Sequence, residues 1–72
     1  MSIVFAERLK KERQDNNLTH QEMADELGIP LATYYHYEAS GKGHREPNMD
    51  MIVKIATILD TTADYLLGKD LV

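Results

Sequence analysis

The strongest constraint on how this chain folds is a pair of helix signals separated by a short turn. Thr19 and Glu22 have the three-residue spacing of a capping box, which begins a helix by pairing two otherwise free amide groups. An apolar stripe with helical spacing follows, formed by Met23, Ala24 and Leu27. Gly28 occupies the position at which a helix commonly ends in the left-handed conformation. Pro30 then suits the first turn of the next helix, where a backbone N–H would have no partner.

Two short helices joined by such a turn form a helix-turn-helix, and three residues meet its physical requirements. Ala24 is small enough for the helices to cross closely, Gly28 accepts a backbone conformation that is costly for other residues, and Ile29 fills the angle between the helices. Each residue is common by itself, whereas the three together at this spacing are specific. The sequence therefore predicts a helix-turn-helix over residues 19–39.

Stop signals divide the whole chain into five helical segments, at about residues 3–16, 19–27, 31–39, 48–59 and 62–68. Ser2 and Asn48 are the predicted N-caps of the first and fourth segments. The chain has 72 residues and no cysteine, which allows one domain without disulfides or thiolate metal sites. We therefore expect an all-α, compact five-helix domain over residues 1–72. No apolar run approaches the roughly 18 residues of a membrane span, so no membrane partner is expected.

The formal net charge of −4 is a mild argument against a nucleic-acid partner, but the positions of the charges weaken it. Residues 46–72 carry two basic and five acidic side chains, so most of the excess lies in the last two segments. Between Leu27 and Arg45 the one acidic residue is Glu38. The sequence therefore predicts a polarised domain, with its negative charge away from the third segment.

Together these features resemble the lambdoid phage repressor and Cro family, the XRE-type helix-turn-helix proteins. The resemblance runs from about Phe5 to Gly68. It rests on Leu18-Thr19-His20-Gln21-Glu22-Met23-Ala24, Leu27-Gly28-Ile29, Thr33-Tyr34, Tyr37-Glu38, Arg45-Glu46-Pro47 and Asp64-Tyr65-Leu66-Leu67-Gly68. In this family the second helix crosses the DNA backbone and the third lies in the major groove.

The resemblance implies a set of site residues by position. The base-facing residues would be Leu31, Ala32, Thr33, Tyr35 and His36. The residues facing the DNA backbone would be His20, Gln21, Ser40, Lys42, His44 and Arg45. Arg13 and Glu38 match the family's buried ion pair between the first and third helices. The candidates for dimer contacts are Thr61, Tyr65, Leu71 and Val72.

The chain departs from the family pattern at the start of the third helix. Pro30 replaces the usual Ser or Thr cap, and Leu31 and Ala32 stand where polar residues are usual. Apolar groups can contact the thymine methyl, so both are predicted to read thymine methyls while Tyr35 and His36 supply hydrogen bonds. The alternative is that Leu31 packs partly into the domain and Ala32 is simply small.

The three histidines do not predict a metal site, because they include no i, i+4 pair and no cysteine accompanies them. If His20, His36 and His44 all approach DNA, protonation predicts tighter binding at pH 6 than at pH 8. Alternatively, they are ordinary exposed polar residues. No paired carboxylates, nucleophile–base arrangement or glycine-rich phosphate loop is present, so neither a cofactor nor an enzymatic activity is expected.

These expectations favour a sequence-specific transcriptional repressor that binds a two-fold operator in double-stranded DNA as a homodimer. Its half-sites would lie about 34 Å apart. Such a protein would be bacterial or phage-encoded, cytoplasmic and nucleoid-associated, and a protein antagonist or antirepressor would be a further partner. The alternative is a protein-interaction module of the same fold, such as an antitoxin or repressor antagonist, with weak or no DNA binding. The chain would be either a minimal Cro-like regulator or the N-terminal part of a longer repressor.

Overall fold

The computed structural model describes residues 2–71, and every regular element in that range is helical. The α-helices are α1 (Ser2–Asp15), α2 (His20–Leu27), α3 (Leu31–Glu38), α4 (Met49–Ile58) and α5 (Ala63–Leu67). A 3-10 turn, Lys69–Leu71, follows α5 and was not expected. The predicted all-α, five-helix class is confirmed, and the helix ends lie within one residue of the predicted ones. None of the helices in this range is long and apolar enough to cross a bilayer.

Side-chain caps explain where three of the helices begin. Thr19 Oγ1 accepts the amide hydrogen of Glu22 at 3.0 Å, and Glu22 Oε1 accepts that of Thr19 at 2.8 Å, which completes the capping box. The side-chain oxygens of Asn48 and Thr62 cap α4 and α5 through one amide each. The first helix differs from the expectation, because it already includes Ser2, which is therefore not its N-cap.

The turn between α2 and α3 has the expected glycine geometry. Gly28 is left-handed, with φ 68° and ψ 32°, and its N–H donates to Asp25 O at 3.1 Å. The next amide, Ile29 N–H, donates to Ala24 O at 3.0 Å, so the last free carbonyls of α2 are paired within the turn. Ala24 is completely buried at the crossing, which permits the close approach of the two helices.

Apolar faces from all five helices meet in one core. Its largest fully buried side chains are Phe5, Leu9, Met23, Tyr34, Ile55, Leu59 and Leu66. Burial of each such side chain contributes roughly 1.5–3 kcal/mol relative to leaving it exposed. α3 packs against α1 and α2, while α4 packs against α2 and α5, and α5 packs against α1. The opposite face of α3 therefore remains open to solvent.

Candidate nucleic-acid interface

α3 has one face in the core and one in solvent. Tyr34 and Tyr37, three residues apart, are buried. Ala32 and Tyr35 lie on the opposite side, and 49% of Tyr35 is exposed. The other predicted base-facing residues are half-buried, namely Leu31, Thr33 and His36. The exposed face thus presents a methyl group, a phenol and an imidazole edge.

The two apolar residues at the start of α3, Leu31 and Ala32, have different surroundings in the structure. Leu31 packs against the hydrophobic core, as the packing alternative requires. Ala32 keeps its methyl group exposed. Pro30, at the N-cap position, makes no side-chain cap, so the first amide groups of α3 are left free at the helix end.

Arg13 and Glu38 form the ion pair expected between α1 and α3. Arg13 Nε donates to Glu38 Oε2 at 2.7 Å, and each side chain is 6% exposed. Arg13 Nη1 also donates to Leu18 O at 2.8 Å, and the Tyr34 hydroxyl donates to Glu38 Oε2. The pair therefore joins α1, the segment before α2, and α3. Desolvation offsets much of the attraction in such a pair, so we assign it the placement of α3 rather than net stability.

The protonation states of this buried cluster follow from its contacts. Burial lowers the pKa of Arg13, but the hydrogen bond and negative charge of Glu38 outweigh this effect and raise it overall. Burial raises the pKa of Tyr34 far above its ordinary range, and the hydrogen bond to Glu38 and the charge of that carboxylate raise it further. The cluster thus holds a charged guanidinium and a neutral phenol that donates to the carboxylate.

His20, the first residue of α2, connects this buried cluster to the exposed face of α3. Its Nε2 lies 3.2 Å from Arg13 Nη2 and 3.3 Å from Glu38 Oε1, and its ring centroid lies 4.8 Å from that of Tyr35. A guanidinium can only donate, so the contact with Arg13 requires an unprotonated Nε2, whereas a bond to Glu38 requires a protonated one. The side chain is 37% exposed, which leaves it accessible at the helix N-terminus.

The loop between α3 and α4 supplies the exposed cations near α3. The predicted backbone-facing residues that are exposed are Gln21, Ser40, Lys42 and Arg45. The amide of Arg45 donates to His36 O at 2.9 Å, which brings the loop back onto the last turn of α3. Because Glu38 is buried in its ion pair, the surface formed by residues 28–45 carries Lys42 and Arg45 and no exposed carboxylate.

His44 is turned inward, away from the phosphate contact expected for it. Its Nδ1 lies 2.7 Å from Ala39 O and must donate, because a carbonyl oxygen only accepts. Its ring meets the Phe5 ring edge-on, with centroids 6.3 Å apart, and its Nε2 is buried without a partner among the described residues. The imidazole closes the loop and covers Phe5, so His44 is not placed for the phosphate contact on which its part in the predicted tightening of binding at pH 6 depends. Within residues 2–71 no three potential metal ligands come together.

An arginine that the sequence did not single out occupies the surface near α5. Arg8 Nη1 donates to Tyr65 O and to Asp70 Oδ1, both at 2.6 Å, and its Cζ lies 4.2 Å from the centre of the Tyr65 ring. One face of Tyr65, a candidate dimer contact, is therefore covered within the chain. Thr61 is half-buried, while Val72 and the side chain of Leu71 lie outside the described residues.

Comparison with known proteins identifies the same architecture. The Helix-turn-helix family model matches residues 9–66. YqaE of Bacillus subtilis, an uncharacterised HTH-type transcriptional regulator, is 47% identical over 64 residues, which is 89% of this chain and 53% of YqaE. The phage CTXphi transcriptional repressor RstR of Vibrio cholerae is 46% identical over 88% of the chain and 54% of its own length. ImmR, an HTH-type transcriptional regulator of Bacillus subtilis, is 36% identical over 92% of the chain and 50% of its own length.

The chain thus spans about half the length of these curated relatives. No solved structure shows a significant match to it. The family match covers α2, α3 and the turn between them, which are the elements that define the motif. The chain belongs to the XRE-type, phage repressor-like family of helix-turn-helix proteins, which are DNA-binding transcriptional regulators and not enzymes.

Proposed function

We propose that the chain binds double-stranded operator DNA with α3 in the major groove and represses the promoter that contains the operator. The observation that carries this proposal is the charge of residues 28–45, in which Ala32 and Tyr35 are exposed on α3, Lys42 and Arg45 are exposed in the following loop, and the one carboxylate, Glu38, is buried in its ion pair. The major groove accepts an α-helix, and phosphates on either side attract the cations. Repression is inferred from the similarity to RstR, a phage transcriptional repressor.

The proposal includes a homodimer on a two-fold operator. The molecule measures 32 × 28 × 22 Å, so two copies placed side by side have a width that suits half-sites about 34 Å apart. Two copies also double the number of cations that face the DNA. A single copy offers few of them, which favours weak binding by one protomer.

The experiment is selection of bound sequences from a random DNA pool, followed by mobility-shift titration of the selected site at several salt concentrations. We expect a two-fold site whose affinity falls with salt, by about 0.9 log units per tenfold salt for each phosphate contact. Insertion of half a helical turn between the half-sites is expected to abolish tight binding. A reporter with the site in its promoter tests repression, and no binding even at low salt would favour the interaction-module alternative.

The contact between Ala32 and a thymine methyl is tested by replacing single operator thymines with uracil. The exposed methyl of Ala32 is expected to lose an apolar contact at one position of each half-site, which weakens binding there by a few-fold. The matched measurement uses Ala32→Gly, for which uracil and thymine at that position are expected to bind equally. If no thymine position responds to uracil, the methyl contact is wrong, although the repressor proposal is unaffected.

A further inference from the structure

The recognition helix contains a histidine whose ring is fixed by the backbone of the following loop. His36 Nδ1 lies 2.8 Å from Gly43 O. A carbonyl oxygen has no hydrogen to give, so His36 Nδ1 is the donor. In the neutral imidazole one nitrogen carries the hydrogen and the other accepts, and the bond to Gly43 therefore leaves Nε2 as an acceptor.

The loop holds the ring in this orientation from two sides. The amide of Arg45 donates to the carbonyl of His36 at 2.9 Å, so the loop is bonded to both the main chain and the side chain of this residue. Gly43 packs directly against the ring, since a Cβ placed on it would lie 3.7 Å from His36 Nδ1. The imidazole is thus placed before any ligand arrives, which lowers the entropy cost of a contact by Nε2.

The second ring nitrogen is available to a ligand. His36 Nε2 makes no hydrogen bond within residues 2–71 and is not among the buried unpaired atoms of that range. One helical turn before it stands Ala32, which is exposed and small and leaves room beside the ring. An acceptor at this place on the recognition helix faces the edge of a base pair if α3 lies in the major groove.

We infer that His36 is a specificity-determining residue that accepts a hydrogen bond from the exocyclic amino group of adenine or cytosine. In the major groove the N6 amino group of adenine and the N4 amino group of cytosine donate, while guanine and thymine present only acceptors at the corresponding sites. An acceptor fixed at Nε2 therefore favours adenine or cytosine over guanine or thymine on the strand it faces. This inference rests on the proposed function and adds the chemical identity of one contact.

The tautomer is tested in the free protein, independently of DNA. Long-range nitrogen–proton NMR correlations of the imidazole at pH 8 distinguish the ring hydrogen on Nδ1 from one on Nε2. We expect the hydrogen on Nδ1 of His36, and a hydrogen on Nε2 would overturn the inference. Because this measurement needs no operator, it keeps failure of the inference distinct from failure of DNA binding.

The base contact is tested with two variants at pH 8 on the selected operator. His36→Asn retains a donor near the position of Nδ1 but has no acceptor at the reach of Nε2, whereas His36→Gln carries both a donor and an acceptor at the reach of Nε2. We expect one operator position at which the wild-type chain prefers adenine or cytosine. His36→Asn is expected to lose that preference, and His36→Gln to accept a wider set of bases there.

The same contact is tested from the DNA side by removing the amino group from the base. Purine in place of adenine, or 2-pyrimidinone in place of cytosine, is expected to weaken wild-type binding by roughly two- to tenfold, which is the range for one hydrogen bond, and to leave His36→Asn unchanged. A wild-type preference for guanine or thymine at the position that responds to His36 would overturn the inference, as would the absence of any such position. If no DNA is bound at low salt, the proposed function itself is wrong and the base contact falls with it.

Discussion

Arg13 links three parts of the fold through one guanidinium group. It donates to Glu38 at the end of α3 and to Leu18 O before α2, and it sits against His20 at the start of α2. A charge buried this deeply is tolerated because its donors are paired. The residue therefore sets the position of α3 relative to α1 and α2.

Loss of one partner of this pair is expected to destabilise the fold strongly. Arg13→Met leaves Glu38 buried without its cation, and the free energy of unfolding is expected to fall by about 3–5 kcal/mol in urea denaturation. The double variant Arg13→Met/Glu38→Leu is expected to recover a large part of that loss, because no unpaired charge remains. Lys11→Met is the control, since its pair with Asp15 is exposed, and no measurable change is expected. Equal free energies of unfolding for Arg13→Met and Lys11→Met would show that the buried pair is no more important for stability than the exposed one.

Tyr34 gives the cluster a signature at alkaline pH. Its pKa is raised above the free value of about 10, so the folded state holds this proton more tightly than the unfolded state. The resulting stabilisation is complete below about pH 10 and is lost as the pH rises further, by up to about 1.4 kcal/mol per pH unit. Tyrosinate absorbance should show Tyr34 ionising only when the chain unfolds. Tyr34→Phe is expected to remove this late step, and an unchanged titration would contradict the assignment.

At the scale of the helices, the ends depend on backbone conformations that few residues adopt. Gly28 and Gly68 end α2 and α5 with φ of 68° and 78°. Asn17 and Asp60, which follow α1 and α4, are also left-handed, with φ of 59° and 55°. Asparagine and aspartate tolerate this region better than most residues. The direction in which each next helix leaves is thus set by a single residue.

Gly28→Ala tests this conformational requirement without a steric complication. A Cβ at Gly28 meets nothing within 4 Å, so the cost is the left-handed strain alone, which is about 1–2 kcal/mol. Gly41→Ala is a matched control, because its Cβ also meets nothing within 4 Å and its φ is not left-handed. We expect a lower melting temperature for the first variant and little change for the second. Equal melting temperatures would show that the turn does not require glycine.

Local signals in the sequence were sufficient for the helices but not for the contacts between distant segments. The capping box of Thr19 and the left-handed Gly28 depend on neighbours within a few residues, so spacing alone predicts them. His44 turns inward because Phe5, near the other end of the chain, offers an apolar surface. Arg8, near the start of the chain, likewise contacts Tyr65 and Asp70, which lie near its end. Hydrophobic periodicity does not predict contacts between residues so far apart in the sequence.

At the scale of the whole molecule, burial of Glu38 decides where the charge lies. With this carboxylate paired inside, the surface from α3 to Arg45 is basic, although the chain has a net charge of −4. A field of this polarity orients the approach of an anionic partner. The charge distribution along the sequence predicted the polarity, because the one acidic residue in this stretch matched a family ion pair.

The salt dependence of operator binding is expected to report which cations face the phosphates. Lys42→Gln and Arg45→Gln should each lower the slope of log affinity against log salt by about one, with little change in the preferred sequence. Lys69→Gln is the control, because Lys69 is exposed in the 3-10 turn after α5 and is not expected to touch DNA. An unchanged slope for both loop variants would show that the loop does not contact the backbone.

The bonds from Gly43 to the side chain of His36 and from Arg45 to its main chain have a consequence for protein engineering. In a fold whose recognition helix is independent of its surroundings, specificity can be transplanted by exchanging that helix alone. Here the loop after α3 holds His36, one of the residues proposed to face a base, so a graft limited to residues 31–38 would carry the imidazole without its support. We therefore expect the unit that transfers specificity to be the helix together with its loop, residues 31–45, and we expect the sequences of the two segments to diverge together.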